Sequence, residues 1–161
     1  MKRILFLIAA LLLTFSAAAQ NGKSIYQKYS DEENVSAVYI SPAMFRLIGK
    51  IPEINTGDGE VNLSPIIRSL SGMYILNSEN ENINANLRAE AERFIKSGHY
   101  EMLMEAKDSG ETVRMYTVGS EKVVEGFVML AAEAASVTFI CLDGQMPRDE
   151  FETLIAKTLA D

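Results

Sequence analysis

Four short runs follow one another between Tyr100 and Leu142, and they constrain the fold more than any other feature. YEMLMEAK (Tyr100 to Lys107) and ETVRMYTV (Glu111 to Val118) alternate in character, the period of a strand with one face buried. Val123 to Ala131 and Ser136 to Leu142 continue as third and fourth strands. Asp108-Ser109-Gly110 and Gly119-Ser120-Glu121 supply turn formers between the runs. Connections this short leave no room for a crossover, so consecutive strands pair antiparallel.

The remaining chain adds two strands and three helices. VSAVYI (Val35 to Ile40) and MYIL (Met73 to Leu76) are β-rich runs. Ser41-Pro42 is an N-cap followed by proline at the first helical position. Met44, Phe45, Leu47, Ile48 and Ile51 then recur at helical spacing, and Gly49 and Pro52 end the helix. Glu53 to Leu63 is rich in turn formers and reads as a loop. Ser64-Pro65 repeats the helix-start chemistry before a short apolar run. Asn82 to Ser97 is the strongest helix. Ile83, Leu87, Ala91, Phe94 and Ile95 share one face, and Arg88–Glu92 and Glu92–Lys96 are charge pairs on another. Gly98 stands where a left-handed C-cap is expected. Pro147 opens a terminal helix with Phe151, Leu154, Ile155 and Leu159 on its apolar stripe. The expected fold is therefore α+β, a two-layer sandwich of a mostly antiparallel sheet with helices on one face, in the order β-α-β-α-β-β-β-β-α. From Met73 onward this order is similar to one repeat of the TATA-box-binding-protein-like fold, a likeness of architecture that carries no function.

The first nineteen residues have a different purpose. Lys2 and Arg3 precede an apolar run from Ile4 to Leu13, and Ala17-Ala18-Ala19 supplies small side chains for processing. That is the layout of a secretory signal peptide, with cleavage expected between Ala19 and Gln20. The run is short of the ~20 apolar residues a spanning helix needs. The only cysteine, Cys141, is far from this site, so no thiol is placed there for lipid attachment. The expected organisation is a signal peptide at 1–19, a polar N-terminal segment at 20–34 that reads as a short helix or a tail, and one α+β domain at 35–161. No later segment is apolar enough to span a bilayer, so no membrane span remains after processing.

Processing leaves 142 residues and moves the formal charge from −7 to −9, enough chain for one domain with its own core. The acidity argues against nucleic acid, which requires clustered Lys and Arg. One cysteine cannot form an internal disulfide. The expected compartment is the periplasm or the exterior of the cell.

No catalytic or metal motif rises above background, and no cofactor is expected. His99 is the single histidine and follows a helix exit, where binding to free carbonyls is the ordinary role. Cys141 alternates with Val137 and Phe139 and reads as a core thiol. The loop carrying Asn55, Gly57, Asp58, Gly59 and Glu60 lacks the ligand spacing of an EF-hand. Met102 and Met104 share one strand face with Tyr100 and Ala106, with Met115 and Met129 on neighbouring strands, so they read as pliable core rather than as soft metal ligands. Glu101, Leu103 and Glu105 alternate away from those methionines, as do Arg114 and Tyr116 on the next strand. A face mixing Leu103, Arg114 and Tyr116 with carboxylates is the best candidate binding surface, for a protein or small ligand in the cell envelope.

The chain resembles the domain-of-unknown-function family 4252, small exported proteins of Gram-negative bacteria. The resemblance rests on the leader, on Met73-Tyr74-Ile75-Leu76 and the long charged helix after it, on the Val123 to Ala131 strand, and on SVTFICLDGQMPRDEFETLI, where a strand ends in Leu-x-Gly before a helix. It implies an exported α+β domain and assigns no activity or functional residues. Three readings follow: a non-catalytic binding domain, a hydrolase using His99 or acidic residues, and a structural or regulatory envelope component.

Overall fold

The computed structural model describes residues 21–48 and 64–160. The signal peptide expected at 1–19, the helix stop expected at Gly49 and Pro52, and the loop expected at 53–63 lie outside the described residues. In chain order the elements are α1 (Gly22–Tyr29), β1 (Val35–Ile40), α2 (Pro42–Ile48), α3 (Ser64–Ser69), β2 (Leu70–Ser78), α4 (Glu81–Ser97), β3 (Glu101–Asp108), β4 (Glu111–Gly119), β5 (Val123–Ala132), β6 (Val137–Pro147) and α5 (Arg148–Ala160). The strands form one six-stranded sheet in the order β1-β2-β6-β5-β4-β3. Every neighbouring pair is antiparallel. The α+β class and the antiparallel sheet are as the sequence implies. The β3–β4 hairpin turns on Ser109 and Gly110, both at positive φ (44° and 99°), the combination a two-residue type I′ turn requires.

Side chains alternate across the sheet, and the structure refines the two-layer expectation. Val128, Leu130, Phe139 and Cys141 face the main core with Leu87, Ala91, Phe94 and Ile95 of α4 and Ile25 and Tyr29 of α1. Their neighbours Phe127, Met129 and Leu142 point the other way, toward Phe45 of α2, Ile66 of α3 and Phe151 of α5. The long helix therefore covers one face, and three other helices gather over part of the opposite face. The cause is legible in β5 and β6, which are apolar on both sides along much of their length, as doubly buried strands are.

The segment at 20–34 is more than a polar lead-in. Asn21 caps α1 in a reciprocal capping box with Ser24. Ile25 and Tyr29, four residues apart, fall on one face of the helix and are 1% and 4% exposed. α1 thus packs into the same core as β2, β5, β6 and α4. Glu90 of α4 fastens it: its Oε2 accepts from the Tyr29 hydroxyl and from Lys28 Nζ, each at 2.7 Å. Gly22 lies against Cys141 so closely that a methyl group there would overlap the sulfur.

The exit of α4 also differs from expectation. Gly98 is not left-handed; His99 is, at φ 57°. The Tyr100 amide donates to the Ile95 carbonyl and the His99 amide to the Lys96 carbonyl, which makes a Schellman motif with His99 at its left-handed position. Gly98 is required for another reason. A Cβ there would stand 2.8 Å from the Tyr100 ring, which folds back on Phe94 at 5.3 Å.

Candidate functional site

Register decides where the expected surface residues go. Met102 pairs with Tyr116, and Met104 pairs with Met115, so one extra residue, Leu103, is inserted in β3. This bulge reverses the alternation and puts Met102 and Met104 on opposite faces, correcting the shared face expected of them. Tyr116 belongs to a row that crosses the whole sheet beneath α1 and α4: Met102, Tyr116, Val128, Cys141, Tyr74, Tyr39. It is only 9% exposed and packs in the main core. Burial raises its phenol pKa.

Arg114 lies one row further, opposite Glu105. Its Nε donates to Glu105 Oε2 at 2.7 Å, and its Nη1 stands 3.5 Å from Glu92 Oε1 on α4. Glu92 also receives Arg88 at 3.1 Å. Lys107 and Arg114 together hold the Glu105 carboxyl below its usual range. Arg114 therefore ties the β3 edge to α4 and to the sheet. Leu103 is separated from both: the bulge leaves it 44% exposed beside Met102 at 53%. Of the three residues expected to share a binding face, only Leu103 is a prominent surface group.

His99 is exposed in its tight turn. Cys141 is fully buried on the central strand β6, and burial, then the nearby Asp143, raises its thiol pKa well above the usual value. A thiol so held is a poor nucleophile. Among the described residues no group of three or more His, Cys, Asp or Glu side chains is placed to hold a metal ion.

Sequence reasoning passed over Asp143. It lies between Gly72 on β2 and Gly126 on β5. A methyl at Gly72 would meet the Tyr74 hydroxyl at 2.8 Å, and one at Gly126 would meet the Tyr100 hydroxyl. Two phenol rings thus fold over the glycines that flank the carboxylate. Cys141 Sγ donates to Asp143 Oδ1 at 3.6 Å. Burial raises the Asp143 pKa and pushes Tyr74 up to about 12, shifts that keep these groups neutral across a wider pH range. The two glycines that face Asp143 across the sheet are the signal, and it appears only once the register is known.

A cleft of about 360 Å³ opens between the start of α4 and the β5–β6 turn. Asn84 anchors its floor by donating from Nδ2 to the Ala135 carbonyl at 2.8 Å, while its buried Oδ1 has no partner among the described residues. Arg88, Glu81 and Glu133 stand around it with Ala132 and Ala134. The volume falls at the lower end of small-molecule sites.

Among the described residues the large apolar side chains left exposed are Val38, Tyr39, Met44, Leu47, Met102 and Leu103. All lie at the two ends of the sheet order, on the edge strands β1 and β3 or on α2 directly after β1. Among the described residues no helix is long and apolar enough to cross a membrane.

No curated protein and no solved structure matches the chain. One family does match, over residues 29–154, from the end of α1 into α5 and across every strand. The chain belongs to that family, described as a domain of unknown function (DUF4252).

Proposed function

We propose that this is an exported, non-catalytic domain that binds a partner protein in the cell envelope, with the contact made at the β3 bulge. The observation that carries it is the exposure of Met102 and Leu103 side by side on an edge strand, with the exposed Glu101, Glu105 and Lys107 around them. An apolar centre with a charged rim is how protein-binding patches are built, the centre contributing affinity and the rim orientation. Bulges at sheet edges re-aim side chains in this way. The leader supports export, because its charged tip, apolar run and small-residue end match a signal peptide. The exposed setting of His99 and the burial of Cys141 favour binding over a hydrolase built on these residues.

The test is photocrosslinking in living cells, with a photoreactive residue at Leu103 or at the exposed Lys23 of α1. A discrete adduct is expected at Leu103 and not at Lys23, and Met102→Glu should reduce it about tenfold, the size of a ~1.4 kcal/mol loss. Equal labelling at both positions, or an adduct indifferent to Met102→Glu, would remove this reading.

A further inference from the structure

The two sheet edges are built differently. β3 carries Glu101, Glu105, Lys107 and Asp108 and is broken by the bulge at Met102 to Met104, the devices that discourage strand addition. β1 reads Val35-Ser36-Ala37-Val38-Tyr39-Ile40, without charge or proline, and keeps continuous register with β2 over all six residues. Among the described residues no strand pairs with its outer side. Val38 and Tyr39 are exposed there, and Met44 and Leu47 of α2 are exposed just beyond.

We propose that β1 pairs antiparallel with β1 of a second copy across a two-fold axis, joining two six-stranded sheets into one. Three observations favour a second copy as the occupant. First, the pairing preserves both faces. With Val38 opposite its counterpart, Tyr39 lies opposite Ala37 and Ile40 opposite Ser36, so residues of equal parity meet and large side chains face small ones. The apolar row Met104, Met115, Met129, Ile140, Ile75, Val38 then continues across the axis. Second, charge is complementary. Asp31-Glu32-Glu33 enters β1 and the exposed Arg46 lies on the helix after it, so antiparallel pairing brings the acidic end of each strand toward the α2 end of the other. In a chain of net charge −7, this uncharged strand is a place where two copies meet without facing carboxylates. Third, closure is favoured. A β1–β3 contact would propagate into open chains, and the guarded β3 edge opposes it, whereas β1–β1 pairing closes on itself.

Six paired residues and the flanking α2 side chains make a small interface, below the ~1,200 Å² of standard complexes, so self-association in the micromolar range is expected. The test is sedimentation equilibrium on the processed chain purified from the envelope of expressing cells. The mass should double between about 1 and 100 μM, and Val38→Lys should weaken the dimer at least tenfold, the effect of ~1.4 kcal/mol. Val38 is 48% exposed, so the variant should unfold at the wild-type temperature, and that is measured alongside. Met102→Lys on the other edge should leave the dimer intact. A monomer throughout, a dimer that survives Val38→Lys, or one lost only in Met102→Lys would overturn the proposal. A monomer throughout, or a dimer that survives Val38→Lys, leaves the photocrosslink at Leu103 to its own test, whereas loss only in Met102→Lys would make a second copy the partner at the β3 bulge.

Discussion

Phe139→Ala should destabilise the domain by about 3–5 kcal/mol, the range for truncating a buried aromatic side chain. Phe139 is fully buried on β6, between Leu76 of β2 and Leu130 of β5. Its ring meets Phe94 of α4 edge-on, with centroids 6.3 Å apart at 74°. Truncation leaves a void beneath the long helix, and both neighbouring strands are held in a continuous ladder that restricts collapse into it. Domains of this size hold only ~5–15 kcal/mol in total, so the variant should stand near the threshold of folding. Urea denaturation reads this as a lower midpoint at unchanged slope. A loss below about 1.5 kcal/mol would show that α4 is not seated on this row.

The second large effect belongs to the latch between α1 and α4. Glu90 is 7% exposed, and its carboxylate accepts from Tyr29, itself 4% exposed. Glu90→Leu leaves the Tyr29 hydroxyl buried without that acceptor, and a loss of about 2–3 kcal/mol is expected, typical of a buried hydrogen bond to a charged group. Lys28 contributes less, because its side chain is 57% exposed and solvent screens the pair. Desolvation pulls the Glu90 pKa upward, but the hydrogen bonds from Lys28 and Tyr29 outweigh it and the net shift is downward. A carboxyl with a lowered folded pKa stabilises fully above its unfolded value, about 4.3. That stability is lost as pH falls from there through the lower folded value. Glu90→Gln should therefore flatten the stability profile below about pH 4.3, measured as thermal midpoint against pH. A wild-type profile reproduced in Glu90→Gln would show that the latch carries no such linkage.

The strands and α4 were readable because their periods are clean and their turns carry Gly, Asp and Ser at fixed places. The role of α1 was hidden in a polar segment where only Ile25 and Tyr29 mark the buried face. Arg114 and Tyr116 face the main core through their pairing with Leu130 and Val128, and the residue inserted at Leu103 changes which β3 residues stand beside them. Sequence periodicity does not reveal such an insertion when both neighbours are apolar, as Met102 and Met104 are. Leu103 is a surface residue, 44% exposed and without a register partner at the bulge. The left-handed position after α4 moved by one residue, from Gly98 to His99, since the glycine is used for close approach of Tyr100.

The proposed contacts at the β3 bulge and the β1 edge are set outside the cytosol only if residues 1–19 act as the signal peptide proposed. Intact mass spectrometry of the protein recovered from fractionated cells tests this most directly. Export predicts a chain starting at Gln20 in the envelope or the medium. A chain retaining Met1, in the cytosol, would contradict it.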